Sequence, residues 1–303
     1  MSLTIEQKND ILRHRKLGYT QKKSADLLGI MPDTIRTYLK TGKVVMICSD
    51  YHCGHVSGLT PPKWRPYTPA WESFYAQWDE VWQEYKRWCD KISPDILIDV
   101  GDALDGKGFR SGGSEQIATT YKTQAEMAAD CIMETNAKQI IMVYGTPYHT
   151  GQDEDFEDMI VDRLPGCEVK IGGHEFPKIN GVQFDIKHKI GSSSIPHGRT
   201  TAINKSKLWN LLWNCKKNGQ PNAQVILRGH VHYHAYTGGE GWLGMTCPAL
   251  QGWGSKFGVR QCEGIVDTGI VWAKIYQDSY VENIEWSTEI FNLPCFKVET
   301  YSL

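Results

Sequence analysis

The sequence predicts a small all-α head followed by a larger α/β body. Apolar residues in the first 40 positions fall at helical spacing between capping and breaking residues. From Lys43 the pattern turns to short runs that read as buried strands, at Val44–Cys48, Ile96–Val100, Ile140–Tyr144 and Gln224–Leu227, with helical stretches between them. Charge changes sign at the same place. Nine Lys and Arg against four acids give residues 1–43 a formal +5, which leaves −7 for the remainder of a chain whose net charge is −2.

A chain of 303 residues has room for one large core, or one core and a small appendage. With 41% hydrophobic and 22% charged residues it is neither a disordered nor a fibrous composition. Near-neutral total charge excludes a uniformly basic nucleic-acid coat and leaves room for a local basic patch. The longest apolar runs are too short to cross a bilayer, so no membrane partner is expected. The start, Met1-Ser2-Leu3-Thr4, turns polar at once, and no signal peptide is read there. The nine cysteines are odd in number, scattered and never Cys-x-x-Cys, which indicates neither a disulfide framework nor a cysteine zinc knuckle. A reducing cytoplasm is the expected location.

In the head, Thr4 followed by Gln7 fits a capping box, and Ile5, Ile11, Leu12 and Leu17 give the first helix an apolar face that Gly18 ends. Thr20 caps a second helix from about Gln21 to Leu28, Gly29 makes the turn, and Pro32 stands in the first turn of a third helix reaching Lys40. Ala25 is small where two helices cross, and Ile30, Ile35 and Leu39 form the buried side of the third. With Ala25, Gly29 and Ile35 so spaced, residues 21–40 resemble the helix-turn-helix of DNA-binding proteins. That resemblance implies a third helix offering Asp33, Thr34, Arg36, Thr37 and Lys40 to a major groove. A helical hairpin packed on the body or a protein partner is the alternative. The head is assigned residues 1–42 and the body 43–303. So small a head is near the lower limit of independent stability and is expected to dock on the body or dimerise into a homo-oligomer.

In the body, the stretch from about Pro69 to Asp90 places Trp71, Phe74, Tyr75, Trp78, Trp82, Tyr85 and Trp88 at steps of three and four. That is the spacing of a core-packing helix face rather than of a base-stacking platform. Residues 168–187 and 264–285 are expected to be antiparallel strands, with Asn180-Gly181 a hairpin turn.

Five runs end in residues that bind divalent metals. Asp50-Tyr51-His52 follows the first strand; in an extended chain, side chains at i and i+2 point the same way, so carboxylate and imidazole can grip one ion. Gly101-Asp102-Ala103-Leu104-Asp105 follows the second, with Gly101 allowing a tight turn. Gly145-Thr146-Pro147-Tyr148-His149 follows the third, His188 closes Phe184-Asp185-Ile186-Lys187-His188, and Gly229-His230-Val231-His232 again sets two side chains on one face. Each alone occurs by chance, and a single histidine is more often a satisfied core or surface residue. Together, at intervals of roughly 40–50 residues, they mark about one strand–helix–strand unit each. Strand exits of an open α/β sheet gather at one edge, which makes a metal site of the set. Mixed His/Asp ligation suits Mn²⁺, Fe, Zn²⁺, Co²⁺ or Ni²⁺ better than an all-oxygen Mg²⁺ site.

This order resembles the calcineurin-like metallophosphoesterase superfamily, in a phage-type form. The superfamily pattern is Asp-x-His, Gly-Asp-x-x-Asp, Gly-Asn-His, a lone His, then Gly-His-x-His; the match spans about residues 43–235 with four of five blocks intact. The resemblance implies a β-sandwich flanked by helices and two divalent ions, manganese foremost. It places Asp50, His52 and His232 on one ion, His188 and His230 on the other, and Asp102 between both. Asp105 and His149 complete the catalytic set, Asp105 by orienting a neighbour through a hydrogen bond. One block departs. Thr146 replaces the asparagine ligand with a poorer hydroxyl, and His149 comes two residues late, so Pro147 and Tyr148 must loop out for it to reach the leaving group.

The activity implied is phosphodiester hydrolysis, in which the metals activate water and neutralise the non-bridging oxygens while His149 protonates the leaving oxygen. With the head, the expectation is a DNA nuclease brought to its substrate by its helix-turn-helix, because a tether raises effective concentration. The alternatives are a phosphatase of proteins, nucleotides or small phosphoesters, and a DNA-binding regulator with an inactive body. Lys107 and Arg110 after Asp105, and His197 and Arg199 after His188, are candidate contacts to substrate phosphates or solvated loop charges. His234 continues the alternation of 230 and 232 and could line the cleft. His14, His55 and His174 carry no such argument, and Cys48 and Cys53 are left unassigned.

Overall fold

The structure, a computed structural model, describes residues 2–151, 154–261, 264–294, 300 and 302. The head consists of α1 (Ile5–Lys16), α2 (Gln21–Leu28) and α3 (Pro32–Leu39). The capping box closes as expected: the Gln7 N–H donates to Thr4 Oγ1 and the Thr4 N–H to Gln7 Oε1, both at 3.1 Å. Two residues of the expected apolar face, Ile5 and Leu17, are exposed instead. α1 buries Asn9, Ile11, Leu12 and His14, because this side meets α2 and the body. There Lys8 Nζ lies 2.7 Å from Asp278 and Arg15 Nε 2.8 Å from Glu285. Ile11, Leu12, Ala25, Ile35 and Tyr38 pack with Tyr276 of the body in one apolar cluster. The Tyr38 hydroxyl donates to Gln277 O at 3.1 Å, and Asn9 Oδ1 accepts from the Tyr280 N–H at 2.7 Å. The head is docked.

The body comprises β1 (Lys43–Cys48), α4 (Tyr75–Ile92), β2 (Ile96–Asp99), α5 (Tyr121–Glu134), β3 (Gln139–Val143), two short helices α6 (Pro147–Thr150) and α7 (Asp158–Val161), and β4 (Glu168–Gly172). It continues through β5 (Lys178–Ile179), β6 (Val182–Ile186), α8 (Thr201–Asn214), β7 (Val225–Arg228), β8 (Ala235–Gly239), β9 (Trp242–Thr246), α9 (Lys256–Gln261), β10 (Gly269–Ile275) and β11 (Glu285–Ile290).

These strands form two mixed sheets, ordered β11-β10-β1-β2-β3-β4 and β5-β6-β7-β9-β8. β1 to β4 run parallel, with β10 antiparallel to β1. β6, β7 and β9 are parallel in the second sheet. Residues 168–172, expected to be antiparallel, pair parallel with β3, since the segment between them is long enough for a crossover. The Asn180-Gly181 hairpin forms, with φ of 47° and 94°, the two left-handed positions a tight hairpin turn requires.

Alternation sorts the strand residues into layers. Val45 and Ile47 of β1 meet Phe184, Ile186, Val225 and Leu227 between the sheets. Met46, Cys48, Leu97 and Met142 face the other way, under Val81, Tyr85 and Trp88 of α4 and Met127, Ala128 and Ile132 of α5. α8 covers the second sheet. The fold is therefore a sandwich flanked by helices rather than a single open sheet. Three motif-bearing strands belong to one sheet and two to the other, and their carboxyl ends meet at a common edge. The aromatic stripe is core where the helix is regular, at Trp78, Tyr85 and Trp88. Pro69–Phe74 is a 3₁₀ turn, whose tighter winding leaves Trp71 and Phe74 half-buried. The described cysteines are free thiols, Cys262 and Cys295 lying outside the described residues. No helix among the described residues is long and apolar enough to cross a membrane.

Candidate metal centre

The five strand exits deliver their side chains to one cleft, though not by extended-chain alternation. β1 ends at Cys48, and Asp50 (φ 53°), His52 (46°), Asp102 (53°), His230 (74°) and His232 (52°) are all left-handed. Each such non-glycine residue costs about 1–2 kcal/mol and persists only where its surroundings over-determine it. Backbone kinks, not the strand pleat, therefore set Asp50 beside His52 and His230 beside His232. Hydrogen bonds across the loops hold the kinks: Asp50 N–H to Gly101 O at 2.9 Å and His52 N–H to Asp102 O at 3.0 Å. The His230 N–H donates to Asp50 Oδ2 at 3.1 Å. Two glycines are required here. A Cβ on Gly145 would lie 2.0 Å from Asp102 Oδ1, and one on Gly101 (φ 94°) 2.9 Å from His188 Nδ1.

Three sets of three potential ligands result, Asp50/His52/His232, Asp102/His188/His230 and His52/Asp105/His149, with donor atoms in each set within 4.8 Å of one another. In the first, His232 Nε2 lies 3.0 Å from Asp50 Oδ1 and 3.3 Å from His52 Nε2. His52 Nδ1 is held by Asp105 Oδ1 at 2.9 Å, which leaves its Nε2 lone pair facing the cleft. Burial and the neighbouring His149 lower the His52 pKa to about 4 despite Asp105. In the second set, His188 Nδ1 is 2.7 Å from Val100 O and acts as its donor, so Nε2 points inward, 2.9 Å from Asp102 Oδ2. That buried Nε2 has no hydrogen-bond partner of acceptable geometry. Burial alone would lower the His188 pKa, but the Asp102 carboxylate overrides it and raises it to about 10. Burial also opposes ionisation of Asp50 and Asp102, yet the His232 and His188 charges on the one and the His188 charge on the other hold both well below the usual carboxylate range. Asp50 Oδ1 is also 4.0 Å from His188 Nε2, so Asp50 as well as Asp102 stands between the two sets.

Thr146 and His149 reach the cleft by an unexpected route. Pro147 and Tyr148 do not loop out; they wind with His149 into α6, where Thr146 O accepts from the His149 N–H at 2.8 Å. His149 Nδ1 then lies 2.7 Å from Asp105 O, with its ring edge-on to His52 at 4.5 Å. The Thr146 N–H donates to Asp102 Oδ1 at 2.6 Å, and its hydroxyl lies 3.3 and 3.4 Å from the two Asp102 oxygens.

A ring of buried polar residues supports this centre, and no motif announces it. Glu157 is 1% exposed and clamps two ligand loops, Oε1 accepting from the Ala103 N–H at 2.8 Å and Oε2 from the Gly145 N–H at 2.9 Å. Burial, then the Asp99 and Asp102 charges, raise its pKa to about 8. Asp99 accepts from the Gly101 N–H at 2.9 Å, while its Oδ2 is buried without a partner; burial raises its pKa to about 7. Gln116 donates to Asp105 Oδ2, and Gln124 donates to Gln116 Oε1 at 3.0 Å.

Other residues singled out in the sequence lie elsewhere. Both His234 nitrogens are engaged, by Thr246 O at 2.9 Å and the Thr288 hydroxyl at 3.0 Å, so it joins none of the three sets. His14 pairs with Ser24, His55 with Ser57, and His174 with Asp185. Lys107 is exposed beside the Tyr121 ring, His197 is exposed in the 3₁₀ turn Pro196–Gly198, and the Arg199 guanidinium covers the Tyr233 ring at 4.3 Å. The Arg110 side chain lies outside the described residues. Cys48 is a core residue, and Cys53 is a buried thiol 3.9 Å from that of Cys131.

No protein-family model and no curated protein matches the chain. Among solved structures it is similar to a novel archaeal phosphodiesterase, at 13% identity and a TM-score of 0.44 over 82% of this chain and 99% of that one. It is also similar to wild-type Vps29 of Entamoeba histolytica in complex with Zn²⁺, at 15% identity and 0.41 over 82% and 99%. A predicted phosphoesterase of Streptococcus pneumoniae TIGR4 aligns at 11% identity and 0.34 over 83% and 94%.

Proposed function

We propose that the chain is a metal-dependent phosphodiesterase of the calcineurin-like superfamily acting on DNA. Asp50, His52 and His232 would hold one divalent cation, and Asp102, His188 and His230 a second, manganese first among Mn, Fe, Zn, Co and Ni. One observation carries this reading: imidazole nitrogens and carboxylate oxygens converge in these two sets, the donor atoms of each within 4.8 Å of one another. His52 Nε2 and His232 Nε2 are 3.3 Å apart beside Asp50, and the unsatisfied His188 Nε2 is 2.9 Å from Asp102. Bound there, two cations supply the positive charge that acidifies water and offsets charge on the phosphoryl oxygens.

The chain's own groups do the rest. Asp105 and Val100 O fix the tautomers of His52 and His188, as outer groups of metal sites do. Thr146 steadies Asp102 and leaves the second ion without a strong neutral ligand. His149 gives its Nδ1 proton to the Asp105 O hydrogen bond, so Nε2 is the nitrogen that protonates the leaving oxygen. The DNA reading is supported by the head. Arg36 and Thr37 of α3 and Lys40 just beyond it are exposed and Thr34 is half-exposed, while the opposite side of α3 buries Ile35 and Tyr38. Residues 1–42 would act as a helix-turn-helix domain on the phosphoesterase body.

The test is purified protein with Mn²⁺ against plasmid, linear duplex, single strand and a chromogenic bis-ester, side by side. Cleavage of DNA and bis-ester, abolished by chelator, is the expected result. Hydrolysis of phosphomonoesters alone would replace the nuclease with a phosphatase. No turnover with any metal would leave an inactive body.

A further inference from the structure

The chain that ends β6 carries His188 into Lys189 and a loop, then into α8. Between loop and helix lies a cavity of about 510 Å³, whose lining includes Lys189, Ser192, Ser193, Lys205, Ser206 and Trp209. Among the described residues no carboxylate lines it, and the ammonium groups of Lys189 and Lys205 are exposed there in a body that is acidic overall. α8 also begins there. Thr201 and Ala202, the first residues of this 14-residue helix, line the cavity, and Thr200 makes no side-chain cap to the N–H groups of its first turn. At the other side Trp209 is 53% exposed, a flat aromatic face available for stacking. Cations, hydroxyls and helix N–H groups together with a free indole match a phosphate joined to a planar base.

We propose that this cavity is a nucleotide subsite for an unpaired strand. Lys189, Lys205 and the start of α8 take a phosphate neighbouring the scissile one, and Trp209 stacks the adjoining base. The base must leave its own stack to reach the indole, so the subsite selects single-stranded or frayed DNA. This rests on the DNA phosphodiesterase reading and names the form of its substrate. α8 also leaves Leu208, Leu211, Leu212 and Trp213 exposed, which makes a second copy of this chain the competing occupant.

The experiment compares kcat/KM for a single-stranded oligonucleotide with that for a chromogenic bis-ester, using the full-length Mn²⁺-loaded protein, Trp209→Ala, Trp209→Phe and Lys205→Ala. Solution mass is measured alongside. Trp209→Ala should lower the oligonucleotide-to-bis-ester ratio roughly 5–100-fold, the worth of one stacked base, and Trp209→Phe should restore most of it. Lys205→Ala should flatten the salt dependence of oligonucleotide KM by about 0.7 in log–log slope. An unchanged ratio in Trp209→Ala and Lys205→Ala overturns the subsite and leaves the nuclease standing. Wild-type protein that hydrolyses the bis-ester but no single-stranded oligonucleotide overturns the subsite, and if plasmid and duplex are also left intact it overturns the nuclease reading too. A loss of dimer mass in Trp209→Ala with the ratio unchanged assigns the face to a second copy and overturns the subsite.

Discussion

In the head, α1 and α2 are set by residues a few positions apart: Thr4 with Gln7, Thr20 with Lys23, Gly29 with Ala25. In the cleft, the decisive partners are far apart in sequence, 53 residues for His52 and Asp105, 88 for His188 and Val100, and 180 for Asp50 and His230. The described head has positive φ only at Gly18 and Gly29, whereas five histidines and aspartates of the cleft are left-handed. Local consistency marks a scaffold, and strain imposed from a distance marks a site. The comparison also tempers the head's +5 charge. Lys8 and Arg15 pair with Asp278 and Glu285, and Lys16 donates to Glu282 O, so part of that charge holds the head to the body. Deleting residues 1–42 would uncover Tyr276, and surface substitutions on α3 are the cleaner probe of DNA binding.

The strongest test of the cleft is Asp102→Asn. An amide can still accept from the Thr146 N–H, so the protein should fold, yet the carboxylate facing His188 is gone. Turnover should be lost altogether, beyond the roughly 10–100-fold that changing only an outer group of a metal site costs. An active Asp102→Asn protein, or turnover in excess chelator, would sink the two-metal reading. Next, His149→Ala should keep both metals and lose ~10²–10⁴-fold in rate, less for esters with good leaving groups. Metal stoichiometry decides it: a lost ion would make His149 a ligand, as its place beside His52 and Asp105 allows.

Glu157→Gln probes the clamp rather than the ligands. Its NH₂ must face the N–H of Ala103 or Gly145, leaving a buried donor unmatched at about 1–3 kcal/mol. Thermal denaturation should register that loss, together with a roughly tenfold lower rate as the ligand loops shift. Full stability would show the clamp to be dispensable. On the head, Arg36→Ala with Lys40→Ala should weaken duplex binding severalfold and reduce the salt slope by about 0.9 per phosphate contact removed, with bis-ester hydrolysis intact. Equal binding at every salt concentration would mean α3 does not read DNA.

The smallest readout is a count of protons. A His188 pKa raised to about 10 means that the metal-free protein holds this proton at pH 7. Its stabilising contribution is present below the ordinary histidine value and fades as pH rises through about 10. Cation binding at Nε2 should displace it, and the Glu157 proton held by a pKa of about 8 should follow as positive charge arrives. Calorimetry in buffers of different ionisation enthalpy would register the release, and a buffer-independent heat would contradict the protonation assigned to His188.

Residue chemistry at strand exits was enough to name the histidines and aspartates that converge, since few roles other than metal binding require so many together. Short-range rules were enough for the caps of α1 and α2 and for the Asn180-Gly181 turn, because their partners lie within a few residues. Only tertiary packing decided that the motifs come from two stacked sheets, that β4 runs parallel, and that α1 turns Lys8 and Arg15 rather than Ile5 and Leu17 towards the body. The left-handed kinks at Asp50, His52, Asp102, His230 and His232 could not be read from residues that disfavour that conformation; hydrogen bonds from distant loops impose it. Glu157, Gln116 and Gln124 look like ordinary surface residues in a linear chain. Burial between loops brought together by folding is what turns their polar atoms into the frame of the cleft.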